Sequence, residues 1–273
     1  MTAAHLGGFS SSGGSAVTRK FVEIVDHGPV RELRLNRPPA NALSPELMDE
    51  IRSAVEAAPA EGAQALVLSG RPGMFSAGLD VPYLLTLDRA GVTDAWRRFL
   101  TLLGTLAACP VPIAGALTGH SPAGGAVLSL FFDYRVMAEG PFKIGFNEVQ
   151  VGIVLPTIFQ DAIARLVGRR QAQRIGMAGL MIEAAEARSI DLVDELVPVD
   201  EVVPRSIAWC RGILALPRDA MLTTRANGRR SLVEAFAEIP EADLTALVDR
   251  WESGETQAAL RAMVERLSAK KTS

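Results

Sequence analysis

Three short segments hold the residues best suited to chemistry: Phe75-Ser76-Ala77-Gly78-Leu79-Asp80, Gly119-His120-Ser121-Pro122-Ala123-Gly124-Gly125 and Ile144-Gly145-Phe146-Asn147-Glu148. Taken singly, each reads as a turn or a solvated loop. Their combination says more. Small residues at a strand-to-helix junction let a ligand come close to the backbone. A helix starting near Gly124 would aim its unpaired N–H groups and positive dipole end at that ligand. A second N–H, from the loop after Gly78, would complete an oxyanion hole. The Glu148 carboxylate would then act on the carbon beside the polarised carbonyl.

Competing chemistries find little support. The histidines are His5, His27 and His120 alone, which disfavours histidine-based catalysis, and His120 reads as a pocket-lining or core residue. Cys109 and Cys210 lie far apart, so neither a disulfide framework nor a zinc site is indicated and no metal is expected. A reducing, cytoplasmic location is the expectation. There is no G-x-x-x-x-G-K-[ST], strand-linked G-x-G-x-x-G, H-E-x-x-H or G-x-S-x-G. Asp80 would either meet ligand through its backbone or cap the helix that follows, and Asp133, opening DYR, reads as structural. Strand-like alternation would turn the Asn147 side chain away from that of Glu148, toward a hydrogen bond with the loop.

The elements that must position these segments are those of an α/β fold. FVEIV and VRELRLN, around a turn at His27-Gly28, read as two strands. Ser44 is a good N-cap and Pro45 a good first helical residue, for a helix to about Ala58. QALVLSG (64–70) reads as a buried strand, 71–80 as a loop, 89–108 as a helix and 112–119 as a strand. SPAGG leads into a helix, and DYRVMAE and FKIG into short strands. Beyond Pro156 the pattern is mostly helical, with strand-like LVDELVP at 192–198. WESGETQAALRAMVERLSA reads as one amphipathic helix.

The chain has 273 residues, 48% hydrophobic and 22% charged, with a formal net charge of −3. No basic footprint for nucleic acid is present. Phe99 to Phe132 contains no charged residue, but prolines and five glycines interrupt it, so a buried strand, turn and helix fit better than a membrane span. The Gly/Ser-rich residues 1–19 read as a flexible tail.

NRPPANALS (36–44), RPGMFSAGLD (71–80), SPAGGAVLSLFFDYRV (121–136) and IGFNEVQVGIVLP (144–156) resemble the crotonase (enoyl-CoA hydratase/isomerase) family, in the same order and at similar spacing. Within it the chain is most similar to the mitochondrial-type Δ3,Δ2-enoyl-CoA isomerases. The resemblance implies a crotonase-like ββα spiral over residues 20–200 and a C-terminal helical region over 201–273, usually assembled as a trimer or a dimer of trimers. It implies an oxyanion hole made by the N–H groups of Leu79 and Gly124, and Glu148 as the catalytic glutamate. Ala40 and the run Ser76, Ala77, Gly78, Leu79 and Asp80 would line the path of the CoA adenine and pantetheine. Arg37, Arg71, Arg97, Arg98 and Lys143 are candidates for the CoA phosphates. The CoA thioester is then the substrate, and no separate cofactor is expected. One departure bears on the reaction: hydratases of the family carry a second glutamate where this chain has Val127. A single carboxylate suffices to move a double bond, whereas adding water is better served by two. The expectation is therefore Δ3,Δ2-enoyl-CoA isomerisation. The alternatives are a hydratase or another crotonase-type lyase or hydrolase, and a non-catalytic acyl-CoA-binding protein.

Overall fold

The computed structural model describes residues 20–237 and 240–272; the tail expected over residues 1–19 lies outside them. A turn at Gly28-Pro29 folds β1 (Val22–His27) back on β2 (Val30–Leu35) as an antiparallel pair. Helix α1 (Pro45–Ala57) starts as its residues dictate: the Ser44 hydroxyl accepts the Leu47 N–H at 3.3 Å, and Pro45 occupies the first turn. It buries Leu47, Met48, Ile51 and Val55, the three-to-four spacing of one helical face. There follow β3 (Ala65–Ser69), β4 (Gly73–Met74), α2 (Val81–Leu84), α3 (Arg89–Ala108), β5 (Ile113–Leu117), β6 (Gly119–Pro122), α4 (Gly124–Ser129), β7 (Tyr134–Ala138) and β8 (Lys143–Gly145). A 3₁₀ turn spans Asn147–Val151. The remainder comprises α5 (Thr157–Val167), α6 (Arg169–Ala178), β9 (Met181–Glu183), α7 (Ala184–Ser189), β10 (Glu195–Val197), α8 (Val202–Leu214), α9 (Arg218–Glu234), α10 (Glu241–Glu252) and α11 (Gly254–Thr272).

The strands form two sheets, ordered β1-β2-β3-β5-β7-β10 and β4-β6-β8-β9. In the larger sheet every pairing but β1–β2 is parallel. Its central strands β3 and β5 are buried along their whole length, as a sheet covered on both faces requires. One face, with Ala65, Val67, Ala114 and Ala116, packs on Val202, Ile207 and Cys210 of α8. The other, with Leu66, Leu68, Ile113 and Leu117, joins the main core with α1 and α3.

The run 112–119 is divided between the two sheets. The chain turns at Thr118, whose hydroxyl donates to Arg71 O at 2.8 Å, so β5 belongs to the large sheet and β6 to the small one. The segment 71–80 is not loop throughout, because β4 pairs with β6 in parallel. The uncharged stretch from Phe99 is spread over α3, β5, β6 and α4, and no helix among the described residues is long and apolar enough to cross a membrane. The terminal amphipathic run is two helices. Ser253 breaks it with an extended backbone and accepts the Thr256 N–H at 3.3 Å, starting α11.

Asp133 fastens helix α9 to the large sheet. Its carboxylate accepts the Ile113 N–H at 2.8 Å, Arg225 Nε at 2.9 Å and Arg229 Nη1 at 3.0 Å. Arg229 also donates to Phe131 O at 2.8 Å and Leu106 O at 3.0 Å, carbonyls left over where α4 and α3 end. Asp133→Ala would leave two largely buried guanidinium groups without a counter-charge. It should lower folding stability by roughly 3–5 kcal/mol, read as a fall in the urea midpoint of unfolding.

Candidate functional site

Three neighbouring parallel strands end at one edge of the small sheet, and each is followed by one of the segments singled out above. β4 pairs β6 through Gly73↔Gly119 and Met74↔His120, and β6 pairs β8 through Ser121↔Ile144 and Pro122↔Gly145. The carboxyl ends of parallel strands are where such sheets bind ligands. The alignment continues past the strands: the Phe75 N–H donates to His120 O at 2.9 Å, and the Ala123 N–H to Gly145 O at 2.8 Å. The start of α4 therefore lies beside the turn that carries Glu148.

The loop 75–80 is fixed from both sides. Asn41, buried with φ 50°, donates from Nδ2 to Phe75 O at 3.0 Å and accepts the Arg37 N–H at 2.9 Å. The Ser76 hydroxyl donates to Asn41 O at 2.8 Å and accepts the Gly78 N–H at 3.2 Å. The Ala77 N–H donates to Ala40 O at 2.9 Å. Leu43 clamps the next residues, donating its N–H to Gly78 O at 2.7 Å and accepting that of Asp80 at 3.2 Å. The intervening Leu79 N–H meets no protein acceptor among the described residues. Neither does the Gly124 N–H, at the first position of α4, where no intrahelical acceptor exists.

These two N–H groups belong to backbones in near contact. A Cβ on Gly78 would fall 2.8 Å from Gly124 N, and one on Gly124 would fall 3.2 Å from Leu79 N. Gly78 has φ +82°, which an L-residue rarely adopts. Ala123, just before α4, has φ 47° and is strained. A tightly turned, side-chain-free seam presenting two unused donors is an arrangement able to hold a developing oxyanion.

Glu148 sits in the 3₁₀ turn and is 8% exposed. Its Oε2 meets no hydrogen-bond partner. Burial pushes its pKa up to about 7, against a small opposing effect from its own backbone. Among the described residues the other buried acids are Glu32 and Asp80, and both are ion-paired, to Arg34 and Arg37 respectively. Of the apolar neighbours expected for Glu148, Phe146, Val127, Val151, Ile153 and Leu155 are buried, whereas Val149 is exposed on the outside of the turn. The alternation expected at Asn147 fails because residues 147–151 form a turn and not a strand. Its Oδ1 is buried and accepts no hydrogen bond.

The remaining candidates separate. Asp80 caps α2 by accepting the Tyr83 N–H at 3.3 Å and pairs with Arg37 Nη2 at 2.6 Å, so its carboxylate is engaged within the protein. His120 is half-buried, with Nδ1 accepting the Lys143 N–H at 3.1 Å, and takes no part in the seam. Of the basic residues considered for phosphates, Arg97 pairs with Glu241, Arg98 with Asp49 and Asp94, and Lys143 with Glu183. Arg71 is exposed and makes no ion pair among the described residues. No cluster of potential metal ligands occurs among the described residues. Four surface cavities, one of them about 750 Å³, are lined by residues other than Glu148, Leu79 and Gly124. Sequence reasoning missed the bracing of the loop by Asn41, although asparagine is one of the few residue types that tolerate the left-handed region and its side chain readily bonds nearby backbone.

The two-sheet ββα architecture with its helical C-terminal region is the crotonase fold. The sequence profile of the enoyl-CoA hydratase/isomerase family matches residues 26–272, and the chain belongs to that family and is an enzyme of it. It is similar to the mitochondrial enoyl-CoA delta isomerase 1 of Mus musculus, 31% identical over 264 residues that make up 95% of this chain and 91% of that one. The crystal structure of human mitochondrial delta3-delta2-enoyl-CoA isomerase superposes with a TM-score of 0.88 at 30% identity, covering 92% of this chain and 100% of that one. A probable enoyl-CoA hydratase of Mycolicibacterium paratuberculosis is 32% identical over 241 residues, 86% of this chain and 91% of that one. Family membership implies binding of an acyl-CoA.

The unpartnered carboxyl sets a pH dependence of stability. A group whose folded pKa is about 7 keeps its proton after the unfolded chain, near 4.5, has lost its own. The contribution of Glu148 to stability should therefore fall as pH rises from 4.5 to 7 and stay flat above. Glu148→Gln should be the more stable protein at pH 8, by up to roughly 3 kcal/mol. Carboxyl ¹³C NMR should show one glutamate titrating near 7, absent from the variant.

Proposed function

We propose that the protein moves the double bond of a 3-enoyl-CoA to the trans-2 position. The thioester oxygen lies between the N–H groups of Leu79 and Gly124. Glu148, as carboxylate, removes a proton from C2, and the electron pair passes to the thioester oxygen. The enolate collapses with formation of the C2=C3 bond, the former C3=C4 electrons take the proton back from Glu148 at C4, and the carboxylate is restored. Atoms and electrons balance without an oxidant or a cofactor. Each donor to such an oxyanion contributes roughly 2.7–4 kcal/mol to the barrier reduction, and a positioned acid/base about 10²–10⁴-fold.

The observation that carries this reading is the solitary state of Glu148: one buried carboxyl with no ion partner, while apolar Val127 stands on α4 where hydratases of the family carry their second glutamate. A pKa near 7 suits a group that must accept a proton and then surrender it. Ala40 and the run Ser76 to Asp80 then meet the adenine and pantetheine through their backbones, because the Ser76 hydroxyl and the Asp80 carboxylate are engaged internally. Assembly as a homotrimer or a dimer of trimers belongs to the same reading. The exposed Met177, 84% accessible, and Val154, 49%, are apolar surface available for it.

The rival reading is hydration, favoured by the 32% identity to a protein named as a probable hydratase. Supplying 3-hexenoyl-CoA and crotonyl-CoA separately divides the two. Enoyl-thioester absorbance should grow on the first and not decline on the second; the reverse pattern would establish the hydratase, and binding without turnover of either a non-catalytic protein. Glu148→Gln should lower kcat by about 10²–10⁴-fold. In the native protein kcat should rise with pH through about 7, because the ionised form of Glu148 takes the first proton.

A further inference from the structure

A buried side chain fastens the turn bearing Glu148 to the last described helix of the chain. The Glu148 carbonyl accepts the Ile153 N–H at 3.1 Å, and Gly152 closes the turn with φ 76°. The Gly152 carbonyl, at the end of this closed loop, accepts the Thr256 hydroxyl at 2.9 Å across 104 residues of sequence. Thr256 is 1% exposed. Its hydroxyl also accepts from Ser253 Oγ at 3.0 Å, and Ser253 Oγ in turn accepts the Thr256 N–H at 3.3 Å. That closed set of bonds leaves the Thr256 hydroxyl proton one direction, toward Gly152 O. The fit is tight, for a Cβ on Gly152 would lie 2.7 Å from Thr256 Oγ1 and 3.1 Å from Thr256 Cα. On the opposite flank the turn is held by Gln150, which donates to Gly179 O at 2.7 Å, and by the Phe146 N–H, which donates to Leu180 O at 3.3 Å. The carboxyl itself has no partner on Oε2 to orient it. Its place is set through its backbone.

We infer that Thr256, supported by Ser253, is a positioning residue for the reaction: it holds the turn that carries Glu148 and so fixes where the carboxylate stands relative to the two N–H donors. This rests on the reading of Glu148 as the proton carrier. Holding the base is distinct from binding the CoA ester, which Ala40 and the run Ser76 to Asp80 are proposed to do. Loss of Thr256 should therefore show in turnover and not in affinity.

The test uses the full chain and whichever of 3-hexenoyl-CoA and crotonyl-CoA it turns over. Thr256→Val keeps the shape and removes the hydroxyl. It should lower kcat about tenfold, the effect of one net hydrogen bond carried into the barrier, with KM changed by less than about twofold. Thr256→Ser keeps the hydroxyl and should restore kcat to within about twofold of native. Should Thr256→Val fail to fold, Ser253→Ala, which frees the Thr256 hydroxyl to turn, is read in its place and should lower kcat in the same sense. On a Glu148→Gln background the Thr256→Val change should have no further effect on kcat, because the two act as one unit. Equal losses from Thr256→Val and Thr256→Ser, or a loss confined to KM, or an unchanged kcat in Thr256→Val or Ser253→Ala while Glu148→Gln abolishes turnover, would overturn the inference alone. Full turnover by Glu148→Gln would remove the reading beneath it.

Discussion

Much of the arrangement follows from one constraint, the close approach of two backbones at Gly78 and Gly124. Two main-chain N–H groups can face a common point only if no side chain stands between them, and here a Cβ at either glycine would occupy that space. Everything nearby serves the approach. The parallel pairing of β4 with β6 brings the two loops to the same edge. Leu43 uses up the amide neighbours of Leu79 and leaves its N–H free. Asn41 and Ala123 accept uncommon backbone conformations on either side. The conformational cost at Ala123 sits beside the seam, where strain of this kind is generally found to have a purpose.

The carboxyl is built on the opposite principle. The loop carrying the Leu79 amide is bracketed by hydrogen bonds, whereas Glu148 is buried with no partner at Oε2 and is placed through the backbone of its turn. Fixed N–H donors beside one buried carboxyl suit the transfer of a proton between two carbons that the proposed reaction requires. Hydration, with its need to orient water, would call for further polar groups, and the α4 face around Val127 is buried and apolar.

Much of this was legible in the sequence because it is local. Small residues after a strand, a glutamate after a short strand, and Ser44-Pro45 before an amphipathic run are signals carried by neighbouring positions, and the corresponding elements formed. What escaped was either too short or too remote. The two residues of β4 and the four of β6 cannot display an alternation, so 71–80 read as loop and 112–119 as one strand. The 3₁₀ turn at Asn147 offers the same polar–apolar succession as a strand end. The Asp133 clamp and the Thr256–Gly152 bond each join residues about a hundred positions apart, and no local pattern announces such a partner. The break at Ser253 falls at a Ser-Gly dipeptide, a turn signal outweighed in the sequence by the apolar periodicity on either side.

The lack of a counter-ion beside Glu148 has a consequence for encounter. With its pKa raised by burial to about 7 the carboxyl carries only a fraction of a charge at neutral pH, and the Asp80 carboxylate is paired with Arg37. These two buried acids therefore add little net negative charge, in a chain whose formal net charge is −3. A thioester trailing several phosphate charges can settle into it with little repulsion, and the last negative charge in the site need form only once water has been displaced and the substrate is in place.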